Sequence, residues 1–201
     1  MNHHIRHFAV GCTVVLVLLA VVLVVLIAVR TWPAARTPPV EVNELGVDES
    51  LLPPYWRVCL GPTQFGRYAT RGEQESAYWI FCTDGGSQSE YVVFRYRNEY
   101  DAAIAFRDLS EEFPRQRRHQ NLATPEGWSS DTLVADSLEF ECSLSDGSEY
   151  AQRCATVARY DEFVILFLAD TSPVLATRDV ERIVLSIDQR LAQALASHPL
   201  E

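Results

Sequence analysis

The sequence predicts an α+β domain, a mostly antiparallel sheet of about five or six strands with two packing helices, preceded by one transmembrane helix. Three observations predict it. Six segments rich in aromatic and β-branched residues are joined mainly by short turn signals. Two later stretches switch from period two to the 3.6-residue period of a helix. Phe8 to Val29 is an uncharged run of 22 residues, longer than the roughly 20 needed to cross a bilayer as helix.

In chain order, residues 1–7 read as a short cytoplasmic tail, 8–29 as the membrane helix and 30–50 as a Pro-rich acidic tether. A cleaved signal peptide fits less well, because its apolar stretch is usually ~7–15 residues and ends in small residues. In the tether, Pro33, Pro38 and Pro39 break regular structure, while Glu41, Glu44, Asp48 and Glu49 keep the chain solvated. Trp32 sits where an interfacial aromatic anchor belongs. The extracytoplasmic domain is then expected over 51–201.

Inside it, 55–60, 77–83 and 90–97 read as strands, with Asp84-Gly85-Gly86-Ser87 turning the second into the third. Asn98 can cap a helix whose apolar positions are Ala102, Phe106, Leu109 and Phe113, closed by Pro114. A polar loop is expected from Arg115 to about Ser130. Residues 138–144, 152–160 and 163–169 read as three further strands with turns at Asp146-Gly147 and Asp161-Glu162. The last of these is apolar throughout, so it should lie in the middle of the sheet, covered on both faces. Val180, Ile183, Val184, Ile187, Leu191 and Leu195 form the apolar stripe of a final helix. Each half is therefore strands followed by a helix, which leaves an internal duplication open.

Composition narrows the chemistry. All 17 basic residues are arginine; setting aside Arg6, Arg30 and Arg36 leaves 14 against 27 acidic residues beyond residue 40, a net of −13. That charge disfavours nucleic acid and anionic headgroups as partners. Without lysine there is no P-loop, Schiff-base or Ser-Lys chemistry, and methionine at position 1 alone leaves no thioether ligand. No GxSxG, HExxH, GxGxxG or EF-hand pattern occurs, so no catalytic, metal or cofactor-binding residue is assigned and no cofactor is expected.

Flanking charge leaves orientation nearly tied, with Arg6 and three histidines on one side and Arg30 and Arg36 on the other. The cysteines break the tie. Cys59, Cys82, Cys142 and Cys154 are even in number and lack CxxC spacing, which fits two disulfides in an oxidising compartment. The N-terminus is thus expected in the cytoplasm and the domain outside the cell membrane. Of three connectivities, Cys59–Cys82 with Cys142–Cys154 keeps each bridge inside one strand group. A two-residue Asp146-Gly147 turn would place Cys142 opposite Ala151, so facing Cys154 requires a five-residue connection over 146–150.

Two candidate binding features remain. Arg115, Arg117, Arg118 and His119 form the basic cluster of an acidic domain, suited to an anionic ligand or acidic partner, or else a solvated loop. Trp56 and Trp79 belong to an aromatic-rich first half that could leave a groove open, unless both faces are packed. Glu139 and Glu141 flank Phe140 and share one face of a strand, as an acid–base pair or as the solvated side of an outer strand.

Trp56, Cys59, the Cys142…Cys154 pair, the strand 163–169 and the helix Val180-Glu-Arg-Ile-Val-Leu-Ser-Ile187 together resemble small extracytoplasmic sensor-type domains of bacteria, such as the outer domains of membrane-anchored serine/threonine kinases and related lipoproteins. The resemblance spans about 51–197; a short N-terminal tail stands where those kinases carry their kinase domain. It implies binding of a protein partner or small ligand outside the membrane, without catalysis. The alternatives are an accessory subunit of a larger membrane complex and an enzyme of unassigned class. Polar residues in the apolar run are confined to Gly11, Cys12 and Thr13, which favours a simple anchor.

Overall fold

The computed structural model describes residues 40–64, 72–83, 86, 88–116, 122–144, 151–170 and 177–197. The chain divides into two compact units, Met1–Thr37 and Pro38–Glu201, and every described residue belongs to the second. The expected membrane helix, 8–29, lies outside the described residues, and no described helix is long and apolar enough to cross a membrane.

The second unit is built on one antiparallel sheet. Its strands are β1 (Trp56–Gln64), β2 (Glu73–Thr83), β3 (Gln88–Tyr96), β4 (Leu122–Ala123), β5 (Ser137–Leu144), β6 (Ala151–Tyr160) and β7 (Phe163–Asp170). The spatial order is β1-β2-β3-β7-β6-β5-β4. Six strands are long and β4 is a two-residue addition inside the expected polar loop. Two helices flank the sheet, α1 (Glu99–Gln116) and α2 (Thr177–Ala196). This is the expected α+β arrangement.

Period-two alternation divides the sheet into two dry faces. Trp79, Phe81, Tyr91, Phe163, Ile165 and Phe167 pack with Val180, Ile183, Val184, Ile187 and Leu191 of α2. Val92, Phe94, Val164, Leu166 and Val157 pack on the other side with Ala102, Ala105 and Leu109 of α1. The apolar strand β7 is the middle of the seven, and both of its faces are covered. Burying a side chain such as Phe167 or Leu166 completely is worth about 1.5–3 kcal/mol, so the centre carries much of the stability. The helices lie on opposite faces while the strand order of the two halves is reversed and the strands where they meet, β3 and β7, are antiparallel. No rotation superposes such halves, so the repeated strands-then-helix theme is not a rigid duplication.

Local chemistry explains the element ends. Asn98 caps α1 through Asp101 N–H at 2.9 Å. Thr83 accepts from Gly86 N–H at 3.1 Å in the β2–β3 connection, where Gly86 has φ +82°. Asp161 adopts φ +48° in the tight β6–β7 turn, a conformation aspartate tolerates better than most residues. Pro114 does not close α1, which continues to Gln116. A proline in a final turn removes one backbone donor and crowds one carbonyl, which a helix end absorbs.

The expected tether is corrected from Val40 onward. Val40, Val42, Leu45 and Val47 are buried, and residues 42–45 and 49–51 form short 3-10 turns against β2, β3 and α2. Glu41 and Glu44 point outward between them. This strap is pinned at both sides: buried Tyr91 donates its hydroxyl to the Leu45 carbonyl at 3.0 Å, and Arg190 donates to the Glu44 carbonyl at 3.0 Å. Burial pushes the Tyr91 hydroxyl well above its usual range, so it stays a donor.

Both disulfides are local. Cys59–Cys82 joins β1 to β2 with Cα atoms 5.9 Å apart, and Cys142–Cys154 joins β5 to β6 with Cα atoms 4.1 Å apart. Cys142 faces Cys154 directly, but a register shift after Ser143 pairs Leu144 with Ala151. The connection between the strands is therefore residues 145–150, six residues where the turn arithmetic required five.

Candidate functional site

The aromatic candidates lie in the core rather than along an open groove. Trp56 is 7% exposed and Trp79 4% exposed, and both belong to the core beneath the strap. Trp79 lies 5.2 Å from the Tyr91 ring, and it is so closely framed that a Cβ at Gly46 would meet its Nε1 at 3.0 Å. Residues 40–52 thus fill the groove that the aromatic count left open. The tether reading missed them because it weighed the acids and not the Val40, Val42, Leu45, Val47 series between them. Of the arginine cluster, Arg115 is placed only as a backbone position in the last turn of α1; its side chain, Arg117, Arg118 and His119 lie outside the described residues.

The carboxylate pair does border a hollow. Beside β5 runs a groove of about 390 Å³ lined by Leu138, Glu139, Phe140 and Glu141 of the strand and by Thr124, Trp128, Ser129, Ser130 and Asp131 of the incoming loop. Its geometry follows from one proline. β4 pairs with β5 only through Leu122↔Ser143 and Ala123↔Cys142. Continuing that register would set Pro125 opposite Phe140. A Cα separation of 4.1 Å marks Cys142 and Cys154 as a non-hydrogen-bonded pair, so Cys142, Phe140 and Leu138 direct their backbone groups away from β6. Phe140 would need the N–H that Pro125 lacks. Pairing therefore ends at Ala123, and among the described residues nothing replaces it along Leu138 and Phe140.

The loop then turns back. Trp128 N–H donates to the Pro125 carbonyl at 3.2 Å, with Gly127 at φ +82° in the position where such a turn demands glycine. Trp128 lands edge-on against Phe140, ring centres 4.7 Å apart, and walls the groove on the α2 side. The rest of the loop is fastened by Asp188 of α2, a carboxylate 3% exposed that accepts from Val134 N–H, Ala135 N–H and the Tyr160 hydroxyl at 3.0–3.1 Å. Burial, then the Asp188 charge, push Tyr160 upward, which keeps that hydroxyl protonated.

On the other side of the groove stand Glu139 and Glu141. Burial, with the Glu139 charge second, raises the Glu141 carboxyl above its ordinary value. Neither glutamate enters an ion pair among the described residues. No group of three histidine, cysteine or acidic side chains that could hold a metal ion occurs among the described residues. A second hollow of about 300 Å³ lies between the strap and α2, bordered by Asp48, Leu51, Gln189 and Arg190, and its arginine is already held by Glu44.

No family model, curated protein or solved structure matches this chain. Its functional reading rests on its own residues.

Proposed function

We propose that this chain is a single-pass membrane-anchored module whose domain lies outside the cytoplasm and binds a partner along the open edge of β5, as a non-catalytic, sensor-like unit. The apolar run 8–29 supports the anchor, and two disulfides in the folded unit support an oxidising compartment. The observation that carries the binding reading is the unpaired Leu138–Phe140 edge beside a preformed groove. Unpaired strand edges are templates for association, and extended ligands add to them through backbone hydrogen bonds. The groove offers carboxylates, hydroxyls and backbone groups, with neither histidine nor cysteine among its described lining residues.

The test places a photo-crosslinking amino acid at Glu139, and for comparison at Arg57 on β1, in the full chain in its native membrane. Capture of one macromolecule from position 139 but not from 57 is the expected result. A stoichiometric membrane partner would make the chain an accessory subunit using the same edge. Equal or absent capture at both positions overturns the reading. Protease added outside intact cells should remove the domain, and its cysteines should alkylate only after reduction.

A further inference from the structure

We infer that the β5 edge accepts an extended basic segment of a partner protein as an additional strand, with arginine or lysine at alternate positions facing Glu139 and Glu141. The inference rests on the binding reading above and adds the partner's chemistry. Backbone pairing sets the geometry. Phe140, 3% exposed, and half-buried Leu138 line the groove and direct N–H and C=O groups away from β6 two residues apart, the spacing at which an antiparallel strand exchanges hydrogen bonds. β4 already occupies the neighbouring Cys142 position, so an entering strand is confined to the stretch beyond Ala123. The groove supplies the room, with Trp128 as its apolar wall.

Charge selects the sequence of that strand. Glu139 and Glu141 sit on one face at a two-residue interval, roughly 6.6–6.8 Å along the strand. Residues of an added strand on that face fall at the same interval, so its alternate side chains meet the two carboxylates as cross-strand neighbours. Opposite charge is favoured there and like charge is not. Asp131 adds a third negative group to the lining, and among the described residues no arginine lines the groove. The same rule disfavours a second copy of this chain: two β5 edges paired antiparallel would bring glutamates against glutamates. The glutamates therefore exclude self-pairing while admitting a basic strand. On the opposite face, the Trp128 ring favours an apolar side chain, so an alternating basic–apolar segment fits best.

The experiment uses the full chain in neutral-lipid nanodiscs with disulfides intact, and labelled eight-residue peptides of alternating Arg-Val, Ser-Val and Glu-Val. The Arg-Val peptide should bind best, and binding should weaken as salt rises. E139Q with E141Q should lower its affinity at least about fivefold, the combined effect of two surface ion pairs, with the thermal transition retained as a folding control. Backbone N-methylation of the peptide on its pairing edge should abolish binding. Equal affinity for the methylated peptide would show adsorption to negative charge without strand addition and overturn the inference. Equal affinity for the double variant, or preference for the Glu-Val peptide, would overturn it as well. Should these fail while the crosslink at position 139 persists, the edge binds something of other chemistry; if both fail, the binding reading falls too.

Discussion

The two edges of the sheet meet the same hazard by different means. At β1, pairing with β2 shifts register between Val58 and Leu60 and again between Leu60 and Thr63. Gly61, at φ +118°, lets the irregular strand pass so close to β2 that a Cβ there would lie 2.6 Å from the Tyr78 carbonyl. A bent, interrupted edge offers no regular ladder to a second chain. The edge at β5 is straight, with an unbroken register from Ser137 to Ser143, and it is capped for only two residues before Pro125 ends the cap. Its protection is chemical: glutamates on one face, an indole on the other. Irregularity rejects every partner, whereas charge rejects only some. On the function proposed above, the difference makes β5 the edge suited to a selective partner.

The largest test of this comparison removes the staples. Each disulfide closes a short loop and should contribute about 3 kcal/mol through the restricted unfolded chain. Cys142 and Cys154 are fully buried beside the core, while Cys59 is exposed. Replacing Cys142 and Cys154 by alanine should therefore cost more than replacing Cys59 and Cys82, although it frees the shorter loop. Denaturant unfolding of the two double variants decides it. A larger loss at β1 would show that loop length outweighs the buried contacts.

Amide hydrogen exchange sharpens the comparison residue by residue. Along β5, Glu139 and Glu141 should exchange slowly because they pair with β6, whereas Phe140 should exchange fast. Cys142, paired to Ala123, should be slow again. Uniform protection from residue 138 to 142 would mean that another segment of the chain closes the edge.

The smallest expected effect concerns Glu141. Its raised proton affinity means the folded protein binds this proton more tightly than the unfolded chain does. The resulting contribution to stability is complete below the ordinary value of 4.5 and lost as pH rises through the higher folded value. Glu141→Gln should accordingly be slightly more stable than the parent at neutral pH, with the gap closing in acid. A variant less stable at pH 7 would show that the carboxylate has a stabilising partner. It would then be unavailable to a basic strand.

Much of this was legible before any fold was known, because the signals are local. The β-rich composition of 90–97, the unbroken apolar run of 163–169, the helical stripe Val180 to Leu191, the Asn98 cap and the glycine turns each depend on residues within a few positions. A period of two put Glu139 and Glu141 on one face, and strand grouping chose the disulfide partners. Tertiary structure decided the rest. That β3 meets β7 at the centre, and that the helices take opposite faces, depends on contacts between distant segments. Val40, Val42 and Leu45 read as tether among acids because their burial requires a vacant apolar face, which Trp79 and Tyr91 supply only once the sheet exists. The open edge is of the same kind: Pro125 becomes a terminator only in the register that sets it opposite Phe140. Local propensity determined the elements of this protein; which surfaces remained for them to cover, and which edge stayed bare, was settled by nonlocal packing, since burial and pairing are properties of pairs of segments.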